Sequence, residues 1–260
     1  MTFYEKTIPN LINDEAKIEI IKDIVYKSLD NDHLKMDLYK PSIKVNKGRP
    51  VVVFIHGGPS KEKNIKEWGI FASWSKLLAS VGYTAIVLEY RYVTQKAILS
   101  AEEDILDGLD FIRNSGETLS SKSDQINLFF FSGAGIFTST FIREKFPFIR
   151  SIVCYYTLME KKLSKKISFE GGMSPYHVLN KTKILPFPMF FAKAGKDRKA
   201  INSSIDRFIS LKEQIKFTHS GDDIVVEYHE EGNHGFDVLN HDDRTKAIIM
   251  ETLKFLNRYN

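Results

Sequence analysis

Residues 126–135 read INLFFFSGAG. Apart from Asn127, the stretch Ile126–Phe131 is apolar and heavily aromatic, the composition of a buried strand. Ser132 follows, then Gly133, Ala134 and Gly135, and then a helical run, Ile136 to Lys145. Outward from this unit, five further runs have strand character: Pro50–His56 (PVVVFIH), Tyr83–Tyr90 (YTAIVLEY), Ser151–Thr157 (SIVCYYT), Phe187–Ala194 (FPMFFAKA) and Asp223–Glu230 (DIVVEYHE). Several are apolar at consecutive positions, as expected for parallel strands covered by helices on both faces. Between them, Ile98, Ala101, Ile105, Leu109 and Ile112 recur at helical spacing, as do Ile249, Leu253 and Leu256. Strands alternating with helices in this order predict a doubly wound α/β sheet. Upstream, Ile24–Leu29 and Leu34–Tyr39 flank the turn-rich Asp30-Asn31-Asp32 and read as an antiparallel hairpin at one sheet edge.

Composition bounds the rest. The 260 residues, 43% apolar and 27% charged, suit one large α/β domain and exclude a disordered chain. The 19 Phe and 11 Tyr are enough to fill a sizeable core. Cys154 is the lone cysteine, so no internal disulfide is available and nothing in the fold depends on an oxidising compartment. The first residues, MTFYEKTIPNLINDEAK, carry acids and no apolar core of a secretory signal. No run approaches the length of a membrane span. A cytoplasmic location is expected. The 37 basic and 33 acidic residues are interspersed, and the densest basic stretch (Lys161, Lys162, Lys165, Lys166) has no interleaved aromatics. It reads as a solvated loop, and no nucleic-acid partner is expected. With no repeat or linker, the chain is read as a single domain, 1–260. One segment, 158–186, is too long for an ordinary connection and contains Gly171-Gly172 and several prolines. It is expected to be an excursion that covers the substrate.

Ligands of open α/β sheets bind beyond the carboxyl ends of the strands. Four places there hold polar residues. His56-Gly57-Gly58-Pro59 follows PVVVFI, and two glycines at a strand exit let bare N–H groups point into a cleft. A plain glycine turn has the same sequence. Ser132 stands at a strand-to-helix elbow, where it is either a helix N-cap or an exposed nucleophile with the Gly133 N–H facing the same point. Asp197, in Ala194-Gly195-Lys196-Asp197, and His234, in Glu231-Gly232-Asn233-His234-Gly235, each follow a further strand. Singly, Asp197 could cap the helix near Ala200 and His234 could be a surface loop residue. Together, Ser132, Asp197 and His234 stand in the order nucleophile, acid, base, downstream of a Gly-Gly loop. A serine hydroxyl needs a histidine to take its proton, and the histidine needs a carboxylate to fix its tautomer.

On these residues the sequence resembles the α/β-hydrolase superfamily, and within it the dienelactone-hydrolase-like and small serine esterase branch. The likeness covers nearly the whole chain. LKMDLYKP at Leu34–Pro41 resembles the L-x-M-D-x-Y-x-P opening of such esterases. The likeness continues through His56-Gly57-Gly58, Glu89-Tyr90-Arg91-Tyr92, the helix with Asp104 and Asp107, Ser174-Pro175-Tyr176, Gly195-Lys196-Asp197 and His234-Gly235-Phe236-Asp237. It implies a doubly wound, mostly parallel eight-stranded sheet with an N-terminal antiparallel hairpin and a short excursion after the sixth strand. It also implies Ser132 as nucleophile, Asp197 as acid and His234 as base, with oxyanion N–H groups from Gly133 and from Gly58 or Gly57. The family elbow is G-x-S-x-G, and here Phe130 and Ala134 replace its glycines.

The expected activity is hydrolysis of a carboxylic ester or related acyl bond of a small molecule through an acyl-enzyme. A peptidase of the same fold, or a non-catalytic binding protein that has lost its elbow, are the alternatives. His33, His177, His219, His229 and His241 have no ligand-spaced partners, so no metal is expected. No nucleotide fingerprint occurs, so no cofactor is expected. Cys154 sits inside an apolar strand and reads as core.

Overall fold

The computed structural model describes residues 2–12, 17–30, 32–43, 48–116, 119, 121–160, 173–218 and 224–260, without the side chains of 95 and 121–123. Lys161–Lys166, Gly171-Gly172, His219, Asn31 and Asp223, all singled out in the sequence, lie outside the described residues. In chain order the elements are β1 (Ile18–Ser28), β2 (His33–Pro41), β3 (Arg49–Ile55), α1 (Gly69–Ser80), β4 (Thr84–Leu88), α2 (Ile98–Asn114), β5 (Ser121–Phe131), α3 (Thr138–Glu144), β6 (Ile149–Tyr155), α4 (Pro175–Thr182), β7 (Ile184–Leu185), β8 (Met189–Ala194), α5 (Lys199–Ile209), β9 (Lys216–Phe217), β10 (Ile224–His229), α6 (Phe236–Leu239) and α7 (Asp243–Arg258). Short 3₁₀ turns at Phe3–Glu5, Ile65–Glu67 and Ser132–Phe137 matter below.

Eight strands form one sheet in the order β1-β2-β4-β3-β5-β6-β8-β10. β1 and β2 are the expected hairpin, antiparallel and at the edge, and β2 meets β4 antiparallel. From β4 to β10 every pairing is parallel. The chain passes from β3 through α1 to β4, then crosses back through α2 to β5 on the other side of β3. That reversal opens a crevice between the exits of β3 and β5, where ligands of such sheets sit.

Residues 126–131 show why the strands read as unbroken apolar runs. Leu128 and Phe130 join one core, with Ile105 and Leu109 of α2 and Phe141 of α3. Phe129 and Phe131 join the other, with Trp74 of α1 and Phe255 of α7. Alternate side chains point to opposite faces, and both faces are covered. The Phe187–Ala194 run pairs only from Met189 on, because Pro186 and Pro188 have no N–H to place in a ladder. The two-stranded parallel pair β7–β9, Ile184 opposite Lys216, was not anticipated. It is too short for any periodicity to betray.

Candidate active site

The elbow departs from the helix expected from the sequence. After Phe131 the chain makes a 3₁₀ turn from Ser132 to Phe137, and regular α3 begins at Thr138 rather than Ile136. Ser132 itself has φ 52°, a left-handed conformation that costs a non-glycine residue energy and marks a constrained site. The Leu158 N–H donates to the Ser132 carbonyl at 2.9 Å, tying the elbow to the chain leaving β6.

Room at the elbow comes from Gly133 and Gly135, each one position from Ala134. A Cβ on Gly133 would fall 2.0 Å from the Gly58 carbonyl oxygen. One on Gly135 would fall 2.6 Å from Thr157 Cβ. Phe130 points the other way, fully buried in register with Ile55 and Cys154, its ring 5.9 Å from that of Phe141. It fills the space between the sheet and α3 and does not obstruct Ser132.

Three loops bring the remaining predicted residues to the serine. Ser132 Oγ lies 2.8 Å from His234 Nε2, and His234 Nδ1 lies 2.7 Å from Asp197 Oδ2. A carboxylate accepts only, so Nδ1 carries the proton and Nε2 is left to accept from the serine hydroxyl. Asp197 is fully buried at its side chain, and its Oδ1 accepts from the Arg198 N–H at 2.6 Å. It does not cap α5, which starts after Arg198. The acid and base loops are pressed together: Lys196 N–H donates to the Gly232 carbonyl at 2.9 Å, and a Cβ on Gly195 would fall 1.8 Å from the Glu230 carbonyl. His234 leads into α6 through Gly235 at φ 85°, where glycine is the residue of least strain.

The glycine turn after β3 faces the same point. A Cβ on Gly57 would fall 2.8 Å from Ser132 Cβ, and one on Gly58 would fall 2.4 Å from the Tyr92 ring. Among the described residues neither the Gly58 nor the Gly133 N–H has a backbone acceptor. His56 fixes this turn. Burial lowers its pKa to about 4, so the ring is neutral, and Nδ1 lies 2.7 Å from the Gly57 carbonyl while the ring stacks on Tyr90 at 4.2 Å.

A cavity of about 380 Å³ opens beside Ser132 and His234. Its apolar wall is Phe3, Trp68, Ile70, Phe71, Phe131 and Tyr156, with Arg198 at the rim. No sequence pattern points to Phe3 or Trp68. Phe3 lies in the first 3₁₀ turn, and Gly69 lets that segment approach, since a Cβ there would fall 2.4 Å from the Lys6 carbonyl. The rings of Phe3 and Tyr4 pack on Trp68 at 6.2 and 4.5 Å. The expected cover, 158–186, lies partly outside the described residues at 161–172. Of its described ends, Leu158 holds the Ser132 carbonyl, Met159 N–H donates to Ser204 Oγ, and α4 lies against α3. Three other described histidines are engaged away from the site: His177 with Ser174, His229 with Asp242, and His241 with the Thr7 carbonyl.

The BD-FAE family model matches residues 36–141. No curated protein matches the chain. Among solved structures, Thermogutta terrifontis esterase 2 phosphoramylated by tabun superposes with a TM-score of 0.73 at 17% identity, over 94% of this chain and 95% of that one. A propionate-bound form of the esterase from the same Planctomycetes species gives 0.71 at 17%, over 94% of each. Brefeldin A esterase, a bacterial homologue of human hormone-sensitive lipase, gives 0.71 at 15%, over 98% of this chain and 80% of that one. Sheet order and neighbours agree: this chain is folded as an α/β-hydrolase.

Proposed function

We propose that the protein is a serine hydrolase of carboxylic esters or related acyl bonds in small molecules. One observation carries the reading: a serine held at φ 52° on a strand exit, 2.8 Å from a histidine that is in turn 2.7 Å from a buried aspartate. Ser132 Oγ attacks the acyl carbon as its proton passes to His234 Nε2, forming a tetrahedral oxyanion. Asp197 stabilises the imidazolium so formed. The Gly133 N–H and that of Gly58 or Gly57 receive the oxyanion, a contribution of roughly 3 kcal/mol per donor in other enzymes. His234 then returns the proton to the departing alcohol, leaving an acyl-enzyme. The same base activates water to release the acid.

The dimensions of the cavity and its aromatic wall favour a short acyl group. The propionate- and butyrate-bound forms of the Thermogutta esterase support that size, and its organophosphorus adducts support a serine nucleophile. The finer placement in a dienelactone-hydrolase-like or small esterase branch, the covering role of 158–186 and the organisation as one domain belong with this proposal. Among the described residues no helix is long and apolar enough to cross a membrane, consistent with a substrate taken from solution.

A fluorophosphonate probe tests the reading. It should label Ser132 and no other serine, and Ser132→Ala should abolish both labelling and turnover of a short-chain aryl ester. Protein that neither labels nor turns over any acyl substrate is the binding protein of the alternative reading.

A further inference from the structure

Asp237 is fully buried three residues after His234, yet it has no part in the relay from Ser132 to Asp197. Each of its oxygens takes one donor: the Trp74 indole N–H reaches Oδ2 at 2.9 Å, and the Tyr156 hydroxyl reaches Oδ1 at 2.8 Å. Among the described residues no lysine or arginine pairs with it. Burying a carboxylate without a cation is unfavourable, and burial pushes this one up to about 6. A core residue chosen for stability alone would not be an aspartate.

Tyr156 connects this anion to the site. It directly follows β6 with φ 42°, a second non-glycine residue in the left-handed region, and its N–H is fixed to the Ala192 carbonyl at 2.8 Å. That backbone turn lays the ring against the base: the Tyr156 and His234 ring centroids are 4.7 Å apart. The Phe236 ring meets Tyr156 edge-on at 5.9 Å from behind. Strain at the near end of a side chain, with a buried anion holding its far end, is a pattern of enforced placement.

We propose that Asp237 and Tyr156 are a positioning pair for His234: the carboxylate clamps the Tyr156 hydroxyl, and the clamped ring is the wall that keeps the imidazole between Ser132 and Asp197. The pair also acts electrostatically. The groups around Asp237 are the phenols of Tyr155 and Tyr156 at the end of β6, the Trp74 indole from α1, and the His234 imidazole, with Asp197 beyond it. The two phenols are held protonated by burial and by the nearby carboxylates, so Tyr156 remains a donor. The cationic form of His234 draws the Asp237 carboxyl down. By reciprocity the ionised carboxylate favours the imidazolium that forms when Ser132 gives up its proton.

The inference rests on the hydrolase reading, and Asp237→Asn separates the two. An asparagine keeps the side chain's size but leaves one acceptor oxygen for the Trp74 and Tyr156 donors to share, which loosens the clamp. Removal of the uncompensated buried charge means that the melting temperature at pH 8 should not fall. The rate of fluorophosphonate labelling at Ser132 should drop roughly 10-fold or more, as expected when a reacting group is slightly misplaced. The loss should fall on kcat for a short-chain aryl ester and not on KM, a split that a merely structural change would not produce. Tyr156→Phe keeps the ring and the anion but frees the clamp. It should slow labelling comparably, and the double variant should be no slower than the slower single one. An Asp237→Asn protein labelled at the wild-type rate, with unchanged kcat, overturns the pair. Wild-type protein that is never labelled overturns the hydrolase reading instead.

Discussion

The proton relay and the wall of the cavity meet at Ser132 but are built in opposite ways. Ser132, Asp197 and His234 lie just past three strands of one sheet, with glycines 57, 133 and 195 pressed into contacts that a Cβ would break. Phe3 comes from one segment and Trp68 and Phe71 from another, and nothing but size and shape recommends them. Chemistry fixes both the residue type and its position to a fraction of an ångström. A wall needs only volume at roughly the right place. Change in the first region should therefore appear in turnover, and change in the second in substrate preference.

Breaking the relay should have the largest effect. His234→Ala and Asp197→Asn should each lower kcat by about 10⁴-fold, the amide because it favours the wrong tautomer. His234 is a third exposed at its side chain, so its loss should leave the melting curve nearly unchanged. If Asp197→Asn kept near-wild-type turnover, the relay would not be the working part.

Phe130 comes next and belongs to neither region. Phe130→Ala opens a cavity against Phe141 and should cost roughly 3–5 kcal/mol in a denaturant titration, with the ester chain-length optimum unmoved. A shifted optimum at unchanged stability would transfer it to the wall. Gly133→Ala should lower kcat by roughly 10²–10³-fold, because its Cβ collides with Gly58 and displaces the N–H proposed to receive the oxyanion. Intact turnover would show that the N–H groups lie elsewhere.

Asp237 gives a pH test. Its pKa is raised to about 6, so the folded chain holds this proton more tightly than the unfolded one. The associated stability is full below about pH 4 and is lost as pH rises through 6, at most about 3 kcal/mol. Comparing melting at pH 4 and pH 8, the wild type should lose more than Asp237→Asn. Equal losses would place the carboxyl in a wetter setting. The smallest effect belongs to the wall. Phe3→Ala, at a residue 41% exposed, should change stability by less than about 1 kcal/mol while improving kcat/KM several-fold for longer acyl chains. A flat chain-length profile would remove Phe3 from the substrate site.

That contrast also explains what the sequence could disclose. INLFFFSGAG, the Gly-Gly turn, Asp197 and His234 were legible because strand exits and a hydrogen-bonded serine, histidine and carboxylate admit few residue types. The hairpin, the sheet and its parallel core followed from apolar periodicity. The 3₁₀ turn at 132–137 was hidden, since it arises from crowding of Gly133 against Gly58 and Gly135 against Thr157, contacts between segments far apart in the chain. Phe3 was hidden for a related reason. Its place in the cavity depends on a carbonyl at Lys6 meeting Gly69, and no local pattern encodes that meeting.

The chain has two tryptophans, and they stand at the two ends of this chemistry. Trp68 is half-buried in the cavity wall, packed against Tyr4 and Phe3, whereas Trp74 is fully buried with its indole on Asp237. The molecule thus contains two optical reporters. In Trp68→Phe the remaining ultraviolet emission follows the ionisation of the buried carboxylate. In Trp74→Phe it follows what enters the cavity. Ligand occupancy and the charge state behind the base become separately visible, without a label, in protein at micromolar concentration.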